Sequence, residues 1–270
     1  MAKQEVKLYG GDVVLTFEPG RHRYAVTIPK QKIVNQKVPS VTAITGMLDK
    51  PALVQWAANM CVTSLEQTIR PNTAYNEAQL AAYFNEARFN FRNVKKEAAD
   101  IGTQAHEYLE RHLNWLRGVG PAPDAPDDPQ AALCVNAGKA WLSAHEVKII
   151  ETERVVYSLK LDMAGKFDKR MMIDGEHCIA DWKTGKDIYP EQVLQVGTYA
   201  GMWEEEQVAS GNGKKAKPID AIWIVRLGKE DGDFEAVRFP RDVIECARKG
   251  IAGLRAAYDC MADLKARVEA

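Results

Sequence analysis

The chain has 270 residues, 46% hydrophobic and 27% charged, which is the balance of a soluble globular protein with length for one large domain or a core with an added lobe. Its formal net charge of −1 lacks the basic excess of a protein that coats DNA, so any nucleic-acid contact has to come from a local patch. No apolar run approaches eighteen residues and Met1 to Glu5 carry no apolar leader, so a membrane span and a secretory signal are excluded and a cytoplasmic location is expected.

In chain order, Val13 to Phe17 and Tyr24 to Ile28 read as strands separated by the Pro19-Gly20 turn. Val38 to Thr42 leads into Ala43-Ile44-Thr45, where Ser40 or Thr42 can cap a helix. From Pro51 to about Arg117 the pattern is helical, with Leu53, Trp56, Ala57 and Met60 at helical spacing. A separate helix over Ile101 to Glu110 is expected to start near Thr103. Gly118 to Pro129, with four prolines and three aspartates, is a loop. Gln130 to His145 returns to helix. Ile149 to Leu159, Met163 to Ile173 and His177 to Lys183 then read as three successive strands, with Asp174-Gly175 the clearest turn. Pro190 to Val208 is helical, and Gly211 to Lys215 is a basic loop. Ile219 to Leu227 and Phe234 to Phe239 are strands, and the remainder from Arg241 is helical. This order predicts an α/β (α+β) protein: a mixed central β-sheet flanked by helices, preceded by a β-rich and helical N-terminal region.

The five cysteines, Cys61, Cys134, Cys178, Cys246 and Cys260, form no C-x-x-C pair, which argues against a zinc ribbon or a redox dithiol. Free buried thiols are the expectation.

Chemistry concentrates after Gly165. In Asp181-Trp182-Lys183, at the end of an apolar strand, the acid and the lysine share one face and the tryptophan takes the other. On spacing alone, a surface ion pair of about 0–1 kcal/mol accounts for this. The preceding strand, however, carries Gly165-Lys166-Phe167-Asp168, and antiparallel pairing can place Asp168 beside Asp181. Two buried carboxylates repel unless a cation intervenes, and Mg²⁺ or Mn²⁺ takes carboxylate oxygens while keeping waters for a phosphate. Gly165 permits a close approach by backbone or ligand. Gln192, Gln195 and Tyr199 share a helix face, and so do His106 and Glu110, with His112 off that face. Each set is also compatible with a structural or solvated role.

Taken together, the chain resembles the PD-(D/E)XK nucleases, in the RecB-like branch that includes CRISPR-associated nucleases and phage exonucleases. The elements occur in that family's order: Gly102-Thr103-x-x-His106-x-x-x-Glu110, Gly165-x-x-Asp168, Asp181-Trp182-Lys183-Thr184-Gly185 and Gln195-x-x-x-Tyr199. Val38 to Thr42 and Lys50-Pro51 also look like the N-terminal part of phage-encoded members. The resemblance implies a restriction-endonuclease-like core over 101–270, a single compact unit, with residues 1–100 as a β/α region contributing to DNA binding. It implies His106, Asp168 and Asp181 as metal ligands, completed by the Trp182 carbonyl. Lys183 would orient the attacking water or stabilise the phosphorane, and Gln195 and Tyr199 would position that lysine and the substrate strand. Glu110 and Glu153 are further acids.

The implied activity is that of an Mg²⁺- or Mn²⁺-dependent deoxyribonuclease, an exonuclease acting at DNA ends in phage recombination or replication. A recombination partner protein is an expected associate, and the host cytoplasm the expected location. A structure-specific or single-strand endonuclease and a non-catalytic nucleic-acid-binding subunit are the alternatives. The family's proline is replaced by Phe167, the cysteines lack the four-cysteine iron–sulfur pattern, and no Walker A motif is present. For DNA grip, Arg88, Arg92, Lys95 and Lys96 are interleaved with Phe84, Phe89 and Phe91, a mixture suited to phosphates and unpaired bases but equally to an amphipathic helix. Lys214, Lys215 and Lys217 form a second basic segment.

Overall fold

Alternating burial along two groups of strands organises the chain in the computed structural model, which describes residues 3–21, 23–211 and 216–269. The first group is an antiparallel meander of β1 (Gln4–Leu8), β2 (Val13–Glu18), β3 (Arg23–Ile28) and β4 (Ile33–Val38). β2 and β3 are the two expected strands. They turn Val13, Leu15, Phe17, Tyr24, Val26 and Ile28 inward, against Val155, Tyr157 and Ala164 of the second group. The edge strands β1 and β4 were not legible, because both are mostly exposed and therefore carry no apolar alternation.

Helix α1 (Val41–Thr45) follows, and Ser40 rather than Thr42 is its cap: the Ser40 hydroxyl accepts the Ala43 N–H at 2.9 Å. The long helical region divides into α2 (Pro51–Thr68) and α3 (Glu77–Leu116), the latter opened by a reciprocal Asn76–Gln79 capping box. The expected helix start near Thr103 is therefore corrected. Thr103 lies inside α3, and its hydroxyl donates back to the Ala99 carbonyl at 2.9 Å, as an interior threonine does. α3 also runs unbroken through residue 100. After the proline-rich loop, Asp128 caps α4 (Pro129–Ser143) by accepting the N–H groups of Gln130 and Ala131.

The second sheet has the order β5 (Val147–Ser158), β6 (Met163–Ile173), β7 (Glu176–Lys183), β8 (Ala221–Leu227) and β9 (Phe234–Pro240). β7 and β8 pair in parallel and the other neighbours antiparallel, so the sheet is mixed. The β6–β7 turn is the Asp174-Gly175 pair, both left-handed with φ of 50° and 83°, as a tight hairpin requires. α5 (Pro190–Ala209) supplies the crossover that a parallel pair needs. One face packs against α1, α5 and α6 (Arg241–Val268) through Val196, Tyr199, Trp203 and Ile244; the other packs against α3 and α4 through Leu109, Leu113 and Trp141. The molecule is thus an α/β protein with an N-terminal antiparallel sheet and a mixed central sheet flanked by helices.

No helix among the described residues is long and apolar enough to cross a membrane. Of the five free cysteines, Cys134 and Cys178 are buried as expected, whereas Cys61 is intermediate and Cys246 and Cys260 are exposed on α6.

Candidate active site

The carboxyl end of β7 is where buried apolar strand gives way to charge. Asp181 is only 3% exposed, and the β6–β7 register, which pairs Lys169 with Ala180, brings Asp168 alongside it. The Trp182 N–H donates to Asp168 Oδ2 at 3.0 Å, tying that carboxylate to the neighbouring strand. From α3, His106 Nδ1 lies 3.5 Å from the same oxygen. Lys183 Nζ stands 2.5 Å from Asp181 Oδ2, while Trp182 turns away to meet Trp141 edge-on at 5.3 Å. The expected division of faces at Asp181-Trp182-Lys183 is therefore present.

Two glycines make this convergence possible. A Cβ on Gly102 would come within 2.7 Å of Thr184 Oγ1, so the bare glycine lets α3 lie against the segment after β7 with that hydroxyl where it is. A Cβ on Gly165 would overlap the Tyr199 ring, which fills the space above β6. Tyr199 is buried, and its hydroxyl accepts a hydrogen bond from Gln195 Nε2 at 2.9 Å. Gln192, on the same helix face in sequence, is used otherwise: its Oε1 accepts the Tyr189 N–H at 3.0 Å and closes the start of α5.

Burial and mutual charge set the protonation states. Burial opposes ionisation of Asp168, but the His106 ring, the Lys169 and Lys183 ammoniums and the Trp182 N–H outweigh it and hold the carboxyl down at about 2. Asp181 moves the other way, raised by burial and by the Asp168 charge beside it, with Lys183 only partly offsetting them. Burial depresses Lys183, yet Asp181 and Asp168 overcome this and raise it, so it remains an ammonium. His106 is lowered, chiefly by burial, against the pull of Asp168 and Asp181.

Sequence reasoning missed one member of this group. Lys169 is fully buried, its ammonium 3.6 Å above the Trp182 ring and 3.7 Å from Asp168 Oδ2. Burial pushes it down to about 7, against the attraction of Asp168 and Asp181. A signal was available: Lys169 alternates with Phe167, Met171 and Ile173, all buried positions of β6.

A cleft of about 520 Å³ opens in front of Asp168, walled by His106 and Glu110 from α3, Glu153 and Lys166 from the sheet, and Pro19 from the β2–β3 turn. Glu153 has a left-handed φ of 53° and forms an ion pair with Lys166. Burial, supported by the Asp168 charge, raises Glu110 despite Lys166. A separate hollow of about 480 Å³ beside Trp203, Val208 and Arg241 shares no lining residue with this cleft.

Among the described residues, no group of three or more His, Cys, Asp or Glu is arranged to hold a metal ion. The donor chemistry nevertheless suits a hard divalent cation. Two carboxylates and an imidazole are gathered, and Asp181 Oδ2 is buried with Lys183 as its charge partner and no directed hydrogen bond. In this arrangement the lysines and the histidine compensate the acids.

The sequence-predicted basic residues are not brought to this site. Arg88, Arg92, Lys95 and Lys96 are exposed on α3, about 15–27 Å along the helix from His106 at 1.5 Å per residue. Arg92 stacks over Phe89, and Phe84 and Phe89 are both exposed. Lys214 and Lys215 lie outside the described residues, and Lys217 pairs with Asp220 at 2.7 Å.

No family model matches the chain, and no curated protein matches it. Among solved structures, the chain has a distant similarity to LHK-Exo in complex with dAMP, at 13% identity over 64% of this chain and 90% of that one, with a TM-score of 0.30. It is similarly distant from the alkaline exonuclease LHK-Exo of Laribacter hongkongensis, at 13% identity over 80% and 94% of the two chains, with a TM-score of 0.28.

Proposed function

We propose that this chain is a metal-dependent deoxyribonuclease of the PD-(D/E)XK type that its motifs resemble, acting as an exonuclease at DNA ends. The observation that carries the reading is the convergence of Asp168 with the Asp181–Lys183 pair, on neighbouring strands, beneath His106. Mg²⁺ or Mn²⁺ would be held by His106, Asp168, Asp181 and the Trp182 carbonyl. A divalent cation bound there supplies a more acidic water and neutralises charge on the phosphodiester.

The chain's own residues account for the rest. Lys183 stays protonated because Asp181 and Asp168 hold it so, which makes it a fixed positive charge rather than a base. Such a charge stabilises the oxygens on which negative charge builds during attack. His106, kept neutral by burial, has a lone pair to offer as a ligand. Tyr199, held by Gln195 and packed over Gly165, limits how Lys183 and the substrate strand can move. Glu110 and Glu153 are outer acids, and Lys166 balances the latter. Residues 1–100 are assigned to DNA binding, with Arg88, Arg92, Lys95 and Lys96 on the exposed stretch of α3 contacting phosphates. A role in phage recombination or replication, beside a recombination partner in the host cytoplasm, follows from the resemblance alone.

The test is incubation of purified protein with linear and closed-circular DNA in Mg²⁺, Mn²⁺ or EDTA. Loss of linear DNA only, abolished by EDTA, is the expected result, and nicking of circles would replace the exonuclease reading with an endonuclease. DNA binding without cleavage in either metal would instead leave a non-catalytic subunit. Asp181→Ala and Lys183→Ala are each expected to lower cleavage by about 100-fold or more with DNA binding retained.

A further inference from the structure

Lys169 places an ionisable group at a fully buried position of β6, beside the residues that the motifs mark. Its side chain is fully buried and its ammonium has no hydrogen-bond acceptor. Taking a charge out of water is expensive unless something nearby compensates it, and removing one partner of a buried pair leaves the other exposed to that cost. The charge therefore has to be explained by what it touches. Its neighbours are the Trp182 ring at 3.6 Å and Asp168 Oδ2 at 3.7 Å, one on each of the strands that carry the candidate site. The same Asp168 oxygen receives the Trp182 N–H at 3.0 Å and faces His106 Nδ1 at 3.5 Å. Three groups from β6, β7 and α3 thus meet on one carboxylate oxygen and restrict its rotation.

We propose that Lys169 is a positioning residue of the candidate active site: lodged between Trp182 and Asp168, its ammonium holds the Asp168 carboxylate in place beside Asp181. Trp182 is the residue whose N–H binds Asp168 and whose carbonyl is assigned to the metal, so one buried cation braces two of the expected donors. The inference rests on the metal-dependent reading and concerns only the geometry that reading needs. A bracing group of this kind acts on ligand affinity through the orientation of the donor, and losing one typically weakens metal binding 10- to 100-fold.

The experiment measures Mn²⁺ binding by calorimetry, without DNA, in the wild type, Lys169→Met and Lys169→Arg, alongside thermal melting. Lys169→Met, which leaves Asp168 with one cation fewer, is expected to melt below the wild-type temperature and, in the folded protein, to bind Mn²⁺ about tenfold more weakly or worse. Lys169→Arg, which keeps the charge, is expected to recover part of that loss. Should Lys169→Met not fold, Lys169→Gln takes its place with the same expectation. Wild-type or tighter affinity in the folded neutral variant, or a folded Lys169→Arg no tighter than it, would overturn the bracing role while leaving the metal reading intact. A folded wild-type protein that binds no Mn²⁺ would remove the metal reading and the bracing role together.

Discussion

Gly165→Ala is the most direct probe of how the site is assembled. Gly165 lies within a regular strand and has no left-handed φ, so backbone freedom is not the reason for glycine there. An added Cβ would overlap Tyr199 Cε1 and lie 3.0 Å from its Cδ1 and 3.3 Å from Val41 Cγ2. Ordinary carbon contact begins at about 3.5 Å, so the ring has to retreat by roughly 1 Å. Tyr199 is fully enclosed by Val41, Ile44, Phe167 and Val196 among others, and its hydroxyl is held by Gln195, which leaves little room to retreat. Overpacking of this kind costs about 1–3 kcal/mol, and the gain from replacing glycine by alanine in regular structure returns about 0.5–1 kcal/mol. With a retreat of roughly 1 Å demanded of an enclosed ring, the overpacking cost falls in the upper part of its range, and a net loss of about 1–2 kcal/mol in urea unfolding is expected. In a Tyr199→Ala background, where the ring is gone, the loss should disappear or turn into a gain of up to about 1 kcal/mol. A Gly165→Ala protein as stable as wild type, or one whose loss is the same with and without the tyrosine ring, would refute the close-approach argument.

Other consequences can be checked independently. Asp168 has a folded-state pKa of about 2, below its ordinary 3.8, so between those values the unfolded chain binds more protons. Its stabilisation, on the order of 2–3 kcal/mol, is therefore present above about pH 4 and lost as pH falls through about 2. Acid unfolding of Asp168→Asn should lack that component, and identical acid profiles would count against it. His106 is depressed below its ordinary value mainly by burial, so it stays neutral at pH 6.5 and cleavage should decline only at lower pH; a decline beginning well above pH 7 would contradict this ordering. Arg154→Ala would leave Glu206, 7% exposed, without the guanidinium nitrogen that reaches its two oxygens at 2.9 and 3.1 Å. The expected cost is about 3 kcal/mol in chemical denaturation, and less than about 1 kcal/mol would show that the buried acid finds another partner or protonates freely. Neutralising Arg88, Arg92, Lys95 and Lys96 together should leave melting unchanged, because all four are exposed. The salt dependence of DNA binding should fall by about one unit of slope for each phosphate no longer neutralised. An unchanged slope would remove α3 from the DNA path.

The central strands and long helices were legible because their signals are local. β6 alternates from Gly165 onward, β7 is an unbroken buried run, and the two-residue Asp174-Gly175 turn between them fixes the register, so pairing Asp168 with Asp181 required no knowledge of the rest of the chain. The same locality explains what was not legible. β1 and β4 are held by backbone pairing to β2 and β3, which leaves almost no trace in their exposed side chains. Gly102-Thr103 resembles a helix start, but the true start is the Asn76–Gln79 box, and Gly102 serves instead to admit Thr184. Gln192 looked like its neighbours on α5 and proved to be a cap.

Residue order by itself determined which acids, lysine and histidine stand on which elements, because strand and helix periods are properties of consecutive residues. Only the tertiary structure decided that α3 crosses close enough for His106 to face Asp168, that Tyr199 occupies the space left by Gly165, and that a second lysine lies sealed beneath Trp182. The first two join segments well separated in the chain, and the third depends on α3 and α4 covering the β6–β7 hairpin, so the packing of whole layers decides them.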